Sequence, residues 1–126
     1  MKRTRRKQSA AEKEAHAAFR DAVLRGGCIR AHTNGCSGHL DPHHIIRKGS
    51  LKVHTSTLPD AERWPIVHDP RNGVPLCHRH HEQVTNRVWP QSLSEVPDRA
   101  KDFAEEQGLT WLLEKECPTE GEVLFG

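Results

Sequence analysis

The sequence predicts a small α+β domain, on three observations. Helical periodicity over residues 10 to 25 follows a capping signal, two short strand-capable segments flank a long polar stretch, and helix-forming runs follow the second of them. At 126 residues the chain has room for one core of roughly 60 to 90 residues with terminal helices, and none for a second fold.

Each element has its own warrant. Met1 to Gln8 is strongly charged and is expected to be a disordered arm. Ser9-Ala10-Ala11-Glu12 reads as a capping box, in which the Ser9 hydroxyl and the Glu12 carboxylate satisfy reciprocal free amides. Ala15, Phe19, Ala22 and Val23 recur at helical spacing, and Gly26-Gly27 is expected to end the pattern as an αL cap, giving a helix over 10 to 25. Cys28 to Leu40 is turn-rich and needs something other than apolar packing to fix its shape. Leu40 to Ile46 suits a short strand.

Lys48 to Arg71, with Pro59, Pro65 and Pro70, is expected to be a long polar loop, and loops of this length in compact domains are usually functional or mobile. Val74 to Leu76 suits a second strand, confined to an edge by Pro75. A helix over His78 to Arg87 is stopped by Pro90. Another over Pro97 to Gln107 carries an apolar stripe of Ala100, Phe103 and Ala104 and breaks at Gly108, after which Leu109 to Glu116 adds a turn or two with Trp111, Leu112 and Leu113.

Composition narrows the class. Hydrophobic residues make up 34% and aromatic residues 5% of the chain, so core material is scarce and a staple such as a metal is expected. The four cysteines follow a basic start rather than an apolar leader, which predicts a cytoplasmic protein with reduced thiols suited to ligation. No apolar run approaches the roughly 20 residues of a membrane span. The net charge of +2 hides a gradient. Residues 1 to 30 hold nine Lys/Arg against three Asp/Glu, whereas residues 91 to 126 hold three against nine. A basic front and an acidic tail suit a protein that meets phosphates with one face.

The stretch from Asp41 to His81 carries the chemistry. It holds His43-His44, then Asn72 after an Asp-Pro-Arg turn, then His81 at the end of Leu76-Cys77-His78-Arg79-His80-His81. Such a set could hold a divalent cation, activate a water and brace the base that activates it. Successive side chains of an extended segment point to opposite faces, so His43 and His44 suit two different tasks.

Asp-Pro-His-His-Ile-Ile followed by Asp-Pro-Arg-Asn-Gly-Val-Pro-Leu-Cys-His-Arg-His-His resembles the HNH nucleases, particularly the small ones of bacteriophages and prophages. The likeness covers about residues 28 to 88. It implies a ββα-metal fold, in which a hairpin and the following helix wrap one divalent cation. The implied organisation is a basic arm and helix over 1–27, a nuclease core over 28–90 and an acidic helical extension over 91–126. It further implies that His43 and His81 ligate the catalytic cation, that His44 is the general base, and that Asn72 ties the loop to the strand bearing His44 and holds its imidazole in place. Thr85 and Asn86, about one helical turn past His81, are both candidates for a third ligand. Mg²⁺, Mn²⁺, Ni²⁺ and Zn²⁺ are all compatible with two imidazoles.

A second site is expected beside the first. Cys77-x-x-His80 has metal-clip spacing, and with Cys28 and Cys36 it would complete a structural Zn²⁺ site of three thiolates and one imidazole. The chain departs from the commoner family pattern here: His80 stands where a cysteine is usual, and seven residues separate Cys28 from Cys36 where two are usual. His32 or His39 could replace one member. The loop from His44 to Asn72 is also longer than usual, leaving Arg47, Lys48, Lys52 and His54 either on DNA phosphates or in solvent.

The activity implied is hydrolysis of DNA phosphodiesters to 5′-phosphate and 3′-hydroxyl ends, in phage DNA processing or packaging, with the large terminase subunit as the partner expected of phage relatives. The competing expectations are a non-catalytic zinc module that binds DNA through its basic arm, and a structural packaging protein with a vestigial site.

Overall fold

The computed structural model describes residues 8–33, 35–88 and 90–119, so the expected arm before Gln8 falls outside the described residues. Helix α1 (Ala10–Val23) begins as anticipated, with the Ser9 hydroxyl accepting from the Glu12 N–H at 3.1 Å. The Glu12 carboxylate lies 3.7 Å from Lys52 Nζ. The helix ends without a glycine cap. Leu24 is its C-cap, donating its N–H to Arg20 O, and Gly26 and Gly27 are not among the positive-φ glycines.

Strand β1 (Leu40–His44) pairs antiparallel with β2 (Gly73–Cys77), in a register that sets His44 against Gly73 and His43 against Val74. β1 stops two residues short of the expected end for a visible reason. Ile45 N–H donates to the Asn72 backbone carbonyl and Ile46 N–H to Asn72 Oδ1, so both leave the ladder. Pro75 faces Pro42 across the ribbon, a pairing in which neither residue forfeits a ladder donor it possesses. Helix α4 (His78–Thr85) follows β2 directly.

The expected loop over 48 to 71 is instead largely helical, with α2 (Lys48–His54) and α3 (Asp60–Val67). Its prolines were misleading because two of them start helical turns. Pro59 is the N-cap of α3 and Pro70 opens a 3-10 turn over Pro70–Asn72, positions where a missing N–H costs nothing. Pro65 lies inside α3, where burial of Trp64 and Val67 offsets the lost backbone bond.

Helices α5 (Asp98–Glu106) and α6 (Thr110–Glu116) close the chain. They share one core with the hairpin: Ile45, Ile46, Leu51, Trp64, Val67 and Val74 pack with Ala100, Phe103, Leu109 and Leu113. Buried Arg30 clamps the segment after α1 to this tail, with its Nε and Nη2 each 2.8 Å from a Glu95 carboxylate oxygen. α1 lies so close to β2 that a Cβ on Gly73 would collide with Val23 and come within 2.7 Å of Phe19. Only glycine fits there.

The architecture is therefore α+β, with a two-stranded sheet and six α-helices among the described residues. None of those helices is long and apolar enough to cross a membrane.

Candidate metal and catalytic centres

Cys77 ends β2 and caps α4, its Sγ accepting from His80 N–H at 3.4 Å. This junction turns Cys77 and His80 toward the segment after α1. His80 Nδ1 lies 3.2 Å from Cys77 Sγ, 3.4 Å from Cys28 Sγ and 3.6 Å from Cys36 Sγ. Tetrahedral zinc with Zn–S of about 2.3 Å and Zn–N of about 2.0–2.1 Å would hold sulfur and nitrogen about 3.5 Å apart. The donor set therefore has zinc dimensions, and its four ligand atoms all lie within 4.8 Å of one another. Burial opposes the Cys77 thiolate, but the backbone N–H groups of His80 and Ser37, together with hydrogen bonds to Cys36 and Cys28, hold the thiol below its usual pKa.

The wide spacing between Cys28 and Cys36 is absorbed by a 3-10 turn (Ala31–Thr33), with Thr33 Oγ1 donating to Arg30 O. Of the open candidates for the fourth ligand, Cys36 is the one that joins the cluster. His32 is exposed, and His39 Nε2 lies 2.9 Å from Asp41 Oδ1. A Cys3His cluster able to hold a metal such as zinc is thus present.

The next residue along α4 serves a different site. His81 faces the hairpin, its ring centroid 5.3 Å from that of His43 in an edge-on arrangement. Asp41, two residues from His43 on the same strand, points to the same face, and its Oδ2 lies 3.1 Å from His81 Nδ1. With Nδ1–H donated to that carboxylate, His81 keeps an Nε2 lone pair free, the tautomer a metal ligand requires. Burial would raise the Asp41 carboxyl, but the hydrogen bond from His81 and the charge of His39 hold it below its usual range. Burial and, next, His81 push His43 down to about 4, so its ring is neutral and able to ligate near pH 7.

His44 points the other way, as strand alternation requires. Its ring stacks on Phe19 at 4.1 Å and 13°, and its Nε2 lies 3.1 Å from Nδ1 of buried His68. His16 packs on the same His68 at 4.9 Å. Burial, then His68, pushes His44 down to about 3. His68 falls to about 4, through burial and then His16.

The Asn72 amide holds backbone rather than this ring. Its Oδ1 accepts from Ile46 N–H at 2.9 Å and its Nδ2 donates to Ile46 O at 3.0 Å. It thereby fixes the chain two residues beyond His44, while Phe19 and His68 fix the imidazole itself.

His43 and His44 both line a cavity of about 390 Å³, together with Arg47, Thr85, Arg87 and Gln91. Of the two candidate third ligands, Thr85 thus opens on the cavity, and Asn86 is the exposed C-cap of α4. Arg47 is exposed at its rim. Lys52 turns toward Glu12 and Trp64, and His54 Nε2 lies 3.3 Å from Gln107 Oε1. Two site residues escaped the sequence reading, Asp41 and His68. Asp41 was findable, since i and i+2 share a strand face; nothing local marks His68, whose partner lies 24 residues away.

No family model, curated protein or solved structure matches this chain.

Proposed function

We propose that the chain is a metal-dependent endonuclease of the HNH type, hydrolysing DNA phosphodiesters to 5′-phosphate and 3′-hydroxyl ends, with a ββα-metal core stapled by zinc at Cys28, Cys36, Cys77 and His80. The observation that carries this is the meeting of His43 on the hairpin with His81 on the following helix, the latter braced by Asp41. His43 and His81 would hold a divalent cation, which when bound would supply charge stabilisation for the attacked phosphate and the departing 3′ oxygen.

The protein's own groups do the rest. His44 Nε2 lies 3.1 Å from His68 Nδ1, and in the tautomer in which Nε2 carries the shared proton, His44 Nδ1 would keep a lone pair for a water in the cavity it lines. Asp41 holds the His81 tautomer. Arg47 and Arg87 at the cavity offer positive charge to a phosphate backbone. Recognition of base sequence falls to other elements or to a partner; for phage DNA packaging that partner would be the large terminase subunit.

The seating of His44 between Phe19 and His68 favours one competing reading, a zinc-stapled DNA-binding module without catalysis. Supercoiled plasmid incubated with the native chain under a series of divalent metals separates the two. Nicking or linearisation with Mg²⁺, Mn²⁺ or Ni²⁺, reduced roughly 10²–10⁴-fold in His44→Ala, supports the nuclease. Retarded plasmid with no cleavage under any metal supports the binding module and refutes the enzyme.

A further inference from the structure

We propose that His39, Asp41 and His78 form a further transition-metal site at the open end of the hairpin, separate from the Cys3His cluster and from the His43–His81 pair. Their ligand atoms all lie within 4.8 Å of one another. His39 Nε2 is 2.9 Å from Asp41 Oδ1, and His78 Nδ1 is 3.6 Å from Asp41 Oδ2. Bonds of about 2.0–2.1 Å to nitrogen and oxygen at a tetrahedral angle would space such donors about 3.3 Å apart, a value these two distances bracket.

Three features hold the group together before any ion arrives. His78 N–H donates to His39 O at 2.8 Å, joining the two histidine-bearing segments through their backbones. Gly38, at φ +83°, permits that approach, since a Cβ there would stand 2.8 Å from the His78 Cβ. On its outer side His78 donates Nε2–H to Glu82 Oε1 at 2.9 Å, one turn along α4. That bond selects the tautomer whose Nδ1 lone pair faces Asp41. A carboxylate behind a ligating imidazole is the usual outer-shell support of a protein metal site.

The donor set states its preference. Two imidazoles and one carboxylate suit Zn²⁺, Ni²⁺ or Co²⁺ and give no advantage to Mg²⁺, which favours oxygen ligands. His39 and His78 have side chains 70% and 49% exposed, so solvent completes the coordination and the ion exchanges freely. Asp41 belongs to both neighbourhoods, because its Oδ2 also accepts from His81. A dication on Asp41 weakens that hold and repels a second cation beyond it, making this a site through which excess transition metal depresses the proposed cleavage. Only this last consequence rests on the nuclease reading; binding does not.

The test is calorimetric titration of Ni²⁺ into the zinc-loaded chain, repeated with Mg²⁺. The double variant H39A/H78A is expected to take up one Ni²⁺ equivalent fewer than the native protein, the triple variant H39A/H43A/H78A one fewer than H43A, and Glu82→Gln to bind that equivalent about ten-fold more weakly. Mg²⁺ should give no corresponding heat. Both substituted histidines are exposed, and an unchanged circular dichroism spectrum confirms that the variant is folded. Equal Ni²⁺ uptake by the native and H39A/H78A proteins overturns the proposal, as does equal uptake by H43A and H39A/H43A/H78A. Absence of plasmid cleavage alongside the expected binding pattern refutes the nuclease alone.

Discussion

Removing the metal expected at Cys28, Cys36, Cys77 and His80 should unfold much of the domain, and the size of the effect follows from what else holds that region. The apolar cluster there is small, with Cys28, Leu76 and Cys77 buried and Ile29, Leu40 and Val84 packed against it. A fully buried leucine side chain contributes about 1.5–3 kcal/mol. Ordering the 13 residues from Cys28 to Leu40 costs on the order of 13–26 kcal/mol at about 1–2 kcal/mol per residue. Structural zinc supplies about 10–16 kcal/mol in small domains, which is the scale required and comparable to the net stability of a whole domain, about 5–15 kcal/mol. Cys77→Ser, which removes a thiolate ligand while leaving a hydroxyl able to cap α4, should therefore abolish the cooperative thermal transition followed by circular dichroism. Chelation of the native chain should likewise remove that transition at ambient temperature, because a loss of about 10–16 kcal/mol equals or exceeds the stability of a whole domain. A native preparation with no bound zinc by elemental analysis, and a Tm indifferent to chelator, would refute the reasoning.

Three further outcomes are expected. His68→Ala should lower kcat for plasmid cleavage about ten-fold or more with little change in KM, because the His44 ring loses its only described hydrogen-bond partner; equal effects on both parameters would instead indicate a binding role. Acid should destabilise the fold earlier than carboxylate titration alone predicts. His44 and His68 are held near 3 and 4 against about 6.5 when unfolded, so below pH 6.5 the unfolded chain binds more protons, and stability complete above that value is lost progressively toward pH 4. Urea midpoints from pH 7 to 4 measure this, and the slope should flatten in His68→Gln; a parallel slope would count against it. Gly73→Ala should cost about 1–3 kcal/mol by overpacking against Phe19 and Val23, read from the same urea midpoints, and an unchanged midpoint would show that α1 shifts freely.

Much of this arrangement was legible in the amino-acid order, for reasons that differ by element. α1 announces itself through local periodicity and a capping serine, α5 through its apolar stripe and α4 through the Pro90 that stops it, all short-range signals. The hairpin was legible for the same reason, although its first strand ends early because Asn72 captures Ile45 and Ile46 from 26 or so residues away. Residues 48 to 71 misled because proline is both a loop residue and a helix starter, and only the burial of Leu51, Trp64 and Val67 in a distant core decides between them. The same limit applies at the sites. Cys77-x-x-His80 is a short-range pattern and joined its expected partners, whereas the His44–His68 contact depends on how α3 is packed beside α1, which no spacing encodes.

The adjacency of His80 and His81 carries a consequence for how this chain can vary. Consecutive positions on a helix point about 100° apart, and here one faces the cysteine cluster and the other the hairpin imidazole. A single inserted or deleted residue between Cys77 and His81 would rotate one ring out of its socket whatever the other did, so this five-residue junction should be intolerant of any change in length. The 3-10 turn Ala31–Thr33 bears no such double duty, and a residue gained there shifts one thiolate alone. Length variants made at the two places should differ accordingly: fatal at the junction, merely weakening at the turn.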